Sequence, residues 1–147
     1  MNLPPSPDVL RLDVEALNAF LARAFPDGDR ATRGAVVEAA PGRVVAVVQP
    51  GPAQMRPGGL VSGPTLMGMA DMAAYALVLA HVGEEPMAVT SSLTMHFLRG
   101  CKPGPLTAEA TLLRLGRRIV TSDVRIWSDD RVKPVAHALV AYAMPRV

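Results

Sequence analysis

An aspartate inside a long apolar run is the residue in this sequence best suited to chemistry. The run extends from Leu60 to Val82, and Asp71 is its only formally charged residue. A carboxylate in such surroundings is destabilising unless hydrogen bonds satisfy it. Two interpretations follow for Asp71: a satisfied polar residue at a helix or subunit contact, or a general base or nucleophile.

The start of the same run offers a second chemical group. Pro64 suits the first position of a helix, with Gly63 or Ser62 capping ahead of it. Proline has no N–H, so Gly63 and Thr65 are the available backbone donors at this helix N-terminus. A free N–H there, helped by the helix dipole, is able to hold a developing oxyanion. Residues 50–63, which lead into the helix, form a long loop rich in glycine and proline.

The elements that must position these groups follow from hydrophobic periodicity and turn residues. Helical spacing predicts a helix over Asp13–Phe25 and the long apolar helix over Pro64–Val82. Predicted strands are Gly34–Ala40, Arg43–Gln49, Met87–Leu98, Leu106–Leu115, Arg117–Trp127 and Val132–Ala143. An antiparallel sheet curled around one central helix buries that helix on most faces, so we predict an α+β fold.

Domain organisation follows from the same pattern. The first twelve residues, with three prolines, predict an extended arm, and residues 13–147 predict a single domain. A small antiparallel sheet leaves edge strands, and half of the residues are hydrophobic, so we expect an oligomer.

Composition excludes several classes of protein. The chain has 147 residues and a formal net charge of +2, which is too weak for a nucleic-acid surface. The single cysteine, Cys101, excludes a disulfide framework, and the three histidines lack neighbours at metal-ligand spacing. The apolar run is long enough to span a membrane, but Asp71 at its centre makes insertion costly. No signal peptide is evident, so we expect a cytoplasmic protein with no metal and no membrane partner.

Three segments carry a resemblance to a known family. They are RPGGLVSGPTLMGMADMAAYA, VTSSLTMHFLRG and GPLTAEATLLRLGRRIVTSDVRIW with the following VAHALVAYAM. Together they resemble hotdog-fold thioesterases of the phenylacetate-pathway (PaaI-type) group, from about residue 34 to residue 143. The resemblance implies hydrolysis of acyl-CoA thioesters by a dimer of dimers, with active sites at subunit interfaces and no cofactor beyond the CoA of the substrate.

The resemblance also implies roles for individual residues. Asp71 becomes the base or nucleophile, and the Gly63 N–H polarises the thioester carbonyl. A hydroxyl from the first strand after the helix orients water from the neighbouring subunit; it falls on Thr90, with Ser91 or Ser92 as alternatives.

Two positions depart from the pattern of that group. Its usual His-Gly-Gly before the helix is Ser62-Gly63-Pro64 here, and an asparagine often found earlier falls on Arg56. Arg56 either replaces the missing polar side chain or pairs with Asp71 and weakens it as a base.

Further residues are candidates for binding the substrate. The hydroxyls of Ser62 and Thr65 lie at the helix start, and the cations Arg99, Arg117 and Arg118 lie at predicted strand ends, where they suit the phosphates of CoA.

Two other functions remain to be compared with hydrolysis. The departures at Ser62 and Arg56 favour a hotdog protein that binds acyl groups or CoA without turnover, or that only oligomerises. A hotdog dehydratase or hydratase commonly uses a histidine with an acid at a helix opening, whereas His81, the only histidine of this helix, is at its other end. Thioester binding without turnover would distinguish the non-catalytic alternative.

Overall fold

The computed structural model describes residues 3–26 and 34–146. Residues 1–2 of the predicted arm, and residues 27–33 and 147 of the predicted domain, lie outside these ranges. The described helices are α1 (Val14–Ala24) and α2 (Gly63–Val82). The strands are β1 (Ala35–Ala40), β2 (Arg43–Val48), β3 (Met55–Arg56), β4 (Leu60–Val61), β5 (Val89–Phe97), β6 (Leu106–Leu115), β7 (Ile119–Trp127) and β8 (Ala136–Ala143).

Six of the strands form one antiparallel sheet in the order β1-β2-β6-β7-β8-β5. The sheet wraps around α2, which packs against β2, β6, β7 and β8. Strands β1 and β5 are its two edges, and β3 pairs with β4 in a separate small hairpin. The α+β hotdog architecture expected from the sequence, with an N-terminal helix and one long central helix, is therefore confirmed.

Helix α2 is the centre of the hydrophobic core. Thirteen of its twenty residues are buried, because apolar and small side chains occupy nearly every face. By length and composition it is the one helix in the described ranges able to cross a membrane, yet 72% of its most apolar window is buried inside the protein. That burial is typical of a core helix.

Both ends of α2 are defined by local chemistry. The Ser62 hydroxyl accepts a hydrogen bond from Thr65 N at 3.3 Å and caps the N-terminus. Gly83 ends the helix with φ of 93°, a conformation that favours glycine. His81, in the last turn of the helix, is fully buried. Its Nε2 accepts from Gly42 N at 3.0 Å and its Nδ1 lies 2.9 Å from Leu77 O, so it is bonded as a neutral imidazole.

Residues 3–12 contain no helix or strand and lie against the C-terminal end of α2. The backbone N–H groups of Arg11 and Leu12 both donate to Ala80 O, at 2.7 and 3.3 Å. The Arg11 guanidinium donates to Val82 O and to Leu3 O, which holds the arm against the helix end.

Several predicted boundaries were wrong by a few residues, and each has a local cause. Helix α2 begins at Gly63 rather than Pro64, and the preceding loop contains the β3–β4 hairpin. Strand β7 starts at Ile119 because Gly116 N donates to Ile119 O and closes a turn over the two arginines. Strand β8 starts at Ala136, since a turn closed by Lys133 N on Asp130 O precedes it.

A buried carboxylate supports the outer face of the sheet. Glu109 on β6 is 4% exposed and accepts from Arg43 Nε at 2.8 Å and Arg131 Nη2 at 2.6 Å. Burial acts to raise the pKa of Glu109, but hydrogen bonds and charges from Arg131 and Arg43 outweigh it and hold the pKa below its usual value. Composition and periodicity did not indicate this network.

Candidate active site

The Asp71 carboxylate lies where α2 passes under the β5–β8 strand pair. It is half-buried, and its Oδ1 accepts hydrogen bonds from Thr90 Oγ1 at 2.6 Å and from Tyr142 Oη at 2.7 Å. No described residue donates to Oδ2. One oxygen of Asp71 is thus held by two hydroxyls while the other remains available to a bound molecule.

Among the three hydroxyls suggested on β5, only that of Thr90 reaches Asp71. Thr90 pairs with Tyr142 across the sheet, and the next paired residue is Ser92, opposite Ala141. Ser91 is the extra residue of a β-bulge, and Ser92 therefore lies on the outer face with Ala141. Neither serine hydrogen-bonds to Asp71.

Tyr142 is a site residue that the sequence analysis missed. It lies on β8, is 4% exposed, and stacks on Tyr75 of α2 with ring centroids 5.4 Å apart. Burial raises its pKa well above the usual value, so the hydroxyl stays protonated and donates. The signal was present in the alternation of β8, since Ala136, Ala138, Val140 and Tyr142 share the buried face. A tyrosine among them needs a hydrogen-bond acceptor.

Gly63, the first residue of α2, provides an unpaired backbone donor. Its N–H donates to no described residue, as expected at the first turn of a helix. Ser62 and Thr65 hold this turn in place: their hydroxyl oxygens are 2.8 Å apart, and Ser62 N donates to Gln54 O at 2.9 Å. Both hydroxyls therefore serve the helix cap, which fixes the direction of the Gly63 N–H.

A cavity of about 450 Å³ adjoins Gly63. Its lining includes Leu66, Phe97, Arg56 and Arg99, and the Phe97 ring lies 3.4 Å from where a Cβ on Gly63 would stand. The Arg56 Nε donates to its neighbour's carbonyl, Pro57 O, at 3.1 Å. Among the described residues it makes no ion pair with Asp71, so within one chain it does not neutralise that carboxylate. Arg99 donates to Pro134 O at 3.1 Å and is exposed.

Gly63 and Asp71 are not brought together within one chain. They are eight residues apart on a continuous helix, which places them about 12 Å apart along its axis. A single carbonyl group is too small to contact both.

Arg117 and Arg118 occupy the β6–β7 turn, away from the Gly63 cavity. Both are exposed, and with Arg114 they line a separate cavity of about 270 Å³. The bulge in β6 between Leu112 and Arg114 precedes this turn. Three guanidinium groups around one hollow make it suited to an anion.

Metal ligands and an activated thiol are not found in the part of the chain that the structure describes. No group of three or more His, Cys, Asp or Glu side chains is placed there to hold a metal ion. Cys101 is buried, and burial raises the pKa of its thiol, which disfavours the nucleophilic thiolate.

Comparisons with known proteins identify the family. The profile of the "Thioesterase superfamily" matches residues 58–135, just over half of the chain. No curated protein matches the sequence. A crystal structure of a candidate thioesterase from Silicibacter sp. TM1040 is 34% identical, with a TM-score of 0.85 over 99% of this chain and all of that one.

More distant structures share the fold. Zebrafish thioesterase superfamily member 2 has a TM-score of 0.79 at 18% identity, covering 91% of this chain and 99% of that one. The Escherichia coli PaaI protein, from the phenylacetic acid degradation operon, has a TM-score of 0.73 at 21% identity, covering 90% and 96%. Three findings therefore agree: the sheet wrapped around one helix, the family profile over residues 58–135, and the 34% identical structure. This chain belongs to the thioesterase superfamily.

Proposed function

We propose that the chain is an acyl-CoA thioesterase whose active site forms between two copies. The Gly63 N–H of one copy polarises the thioester carbonyl, and Asp71 of the other acts as base or nucleophile. The observation that carries this proposal is a pair of unused groups about 12 Å apart on one helix: the Gly63 N–H and Asp71 Oδ2. Membership of the thioesterase superfamily supports the reaction class.

Strand β5 supplies the geometry for joining the two groups. Thr90, near its start, contacts Asp71, whereas Phe97, at its end, lies against Gly63. The strand is a free edge, and Val89 and Phe97 on it are 55% and 52% exposed. A second copy pairing antiparallel along β5 would place the Thr90 end of one strand beside the Phe97 end of the other. Asp71 of one copy then faces Gly63 of its neighbour.

The reaction follows from these positions. Water, oriented by Thr90, adds to the thioester carbon while its proton passes to Asp71 Oδ2; the oxyanion is held by the Gly63 N–H. Collapse of the intermediate breaks the C–S bond and releases the free acid and CoA thiolate. The thiolate then takes up the proton held by Asp71. In the alternative course Asp71 itself attacks, and water then hydrolyses the mixed anhydride. Neither course requires a metal or a cofactor apart from the CoA of the substrate.

The binding residues divide between two regions. Arg56 and Arg99 line the cavity beside Gly63, and Ser62 and Thr65 support its wall. Arg117 and Arg118, at the β6–β7 turn, line the second cavity and suit the phosphates of CoA. We further propose a cytoplasmic dimer of dimers, in which exposed apolar residues of the outer sheet face, such as Leu139 at 46% exposure, are covered. Light scattering measures that state directly.

Release of free CoA thiol from a panel of acyl-CoA esters tests the function. The panel contains short, medium and long acyl chains together with phenylacetyl and hydroxybenzoyl esters. We expect turnover by the wild type and a loss of about a hundredfold to ten-thousandfold in kcat for Asp71→Asn, which keeps the shape and removes the base.

Asp13→Asn is the matched control, because Asp13 caps α1 by accepting from Ala16 N at 2.9 Å, a role that asparagine also fills, and it does not touch the site. It should retain full turnover. Tight thioester binding by a folded wild-type oligomer without turnover would contradict hydrolysis and favour a non-catalytic acyl or CoA binder. Unchanged turnover by Asp71→Asn would place the chemistry elsewhere.

A further inference from the structure

We infer that Tyr142 is a positioning residue for Asp71: with Thr90 it fixes Oδ1, so that Oδ2 is the oxygen presented to substrate and water. The inference rests on the proposed function, since it concerns how the thioesterase base is held. Tyr142 acts through Asp71 and touches no reacting atom.

The two hydroxyls converge on one oxygen from neighbouring strands. Thr90 and Tyr142 face each other across the β5–β8 pair and donate to Oδ1 at 2.6 and 2.7 Å. Charge-assisted O–H bonds have such short lengths. Two donors occupy the lone-pair directions of Oδ1, which fixes the rotation of the carboxylate and leaves Oδ2 alone able to take a proton or attack a carbon.

The surroundings of Tyr142 make it a rigid donor. Its ring stacks on the Tyr75 ring at an interplanar angle of 8°, a contact that depends on the ring of Tyr75 and not on its hydroxyl. The Tyr142 hydroxyl is also 3.2 Å from the backbone Asp71 O, but its bond to the carboxylate is 0.5 Å shorter. Satisfying a buried hydroxyl needs only one acceptor, so the carboxylate contact goes beyond what packing of the ring requires.

Tyr142→Phe tests this role, because it keeps the stacked ring and removes only the hydroxyl. Loss of a hydrogen bond to a charged group changes an equilibrium or rate constant by about tenfold to a hundredfold. We therefore expect kcat to fall by that factor. KM should stay within about twofold, since the substrate does not contact Tyr142. Tyr75→Phe is the matched control: it removes the hydroxyl of the stacking partner, which binds a carbonyl rather than the carboxylate. Its kcat should remain at the wild-type level.

A double-mutant cycle with Thr90→Val separates positioning from folding. If both hydroxyls fix one oxygen, loss of either frees the carboxylate, and the double variant should be little slower than the worse single variant. Four results would each overturn the assignment. They are losses of kcat that multiply in the double variant, full kcat in Tyr142→Phe, an equal loss of kcat in Tyr75→Phe, and a rise in KM alone for Tyr142→Phe. A wild type that turns over no ester overturns the proposed function and this role together, whereas an active wild type with an equally active Tyr142→Phe variant overturns only the role of Tyr142.

Discussion

The Gly63 N–H is a backbone donor that substitution can remove, because it stands at the first position of α2. Gly63→Pro replaces the hydrogen on this backbone nitrogen with a ring carbon. No hydrogen bond within the described chain is lost, since this N–H has no acceptor there. Proline is also well tolerated at the first position of a helix. Gly63→Ala is the matched control, because it keeps the donor and shares the cost of a side chain before Pro64.

The expected changes in kcat and in stability follow from what each substituted side chain would contact. An alanine Cβ at position 63 would meet the edge of the Phe97 ring at 3.4 Å, a close contact that a small movement of an exposed side chain relieves. The proline variant loses an oxyanion donor, which costs about 2.7–4 kcal/mol, or about a hundredfold to thousandfold in kcat. We therefore expect Gly63→Pro to be slower than Gly63→Ala by about that factor, at similar melting temperatures.

The assay is thiol release under saturating acyl-CoA, with both variants checked for fold and oligomeric state. Equal rates for Gly63→Pro and Gly63→Ala would refute the assignment of this N–H as the oxyanion donor.

Mixing two inactive variants tests whether the site is shared between copies. A dimer of one Gly63→Pro chain and one Asp71→Asn chain has one site with both substitutions and one site with neither. Random mixing gives half mixed dimers, so about a quarter of wild-type activity should return. No recovery after denaturation and joint refolding would mean that each site lies within a single chain.

Two further perturbations have clear expected outcomes. The double substitution Arg117→Glu with Arg118→Glu should raise KM for a CoA ester and leave KM for the matching pantetheine ester unchanged, because only the former carries the nucleotide phosphates; equal effects would reject phosphate contact. Glu109→Gln should lower the free energy of unfolding at neutral pH. Because its neighbours Arg131 and Arg43 hold the folded pKa of Glu109 below its usual value of 4.5, its contribution is present above that pH and is lost as the pH falls below it. The free energy of unfolding, measured in urea at a series of pH values, should fall less steeply on the acid side for Glu109→Gln than for the wild type. Parallel curves would contradict this linkage.

Much of the candidate site was visible in the sequence because its signals are local. Asp71 stands out in a run where every near neighbour is apolar, and Pro64 marks the start of the helix whatever the rest of the chain does. The order of helices and strands also followed from periodicity, and the central helix was recognised because apolar residues cover nearly all its faces.

Strand ends were less predictable because short turns, each closed by a backbone hydrogen bond between residues three positions apart, define them. Residues 117–118 and 132–135 were included in the predicted strands, yet turns closed by Gly116 N and Lys133 N exclude them from β7 and β8. Residue types alone do not distinguish a strand that continues from one that yields to a turn.

The tertiary structure decided which side chains lie next to the Asp71 carboxylate. The bulge at Ser91 selects Thr90 rather than Ser92, and the β5–β8 register brings Tyr142 onto the same carboxylate oxygen. Both depend on pairing between segments about fifty residues apart, which a one-residue shift would reverse. The sequence by itself determined that a carboxylate and a helix N-terminus are present. The folded helix separates them by about 12 Å along its axis, too far for both to contact one carbonyl group, and for this reason the proposed reaction uses a second copy.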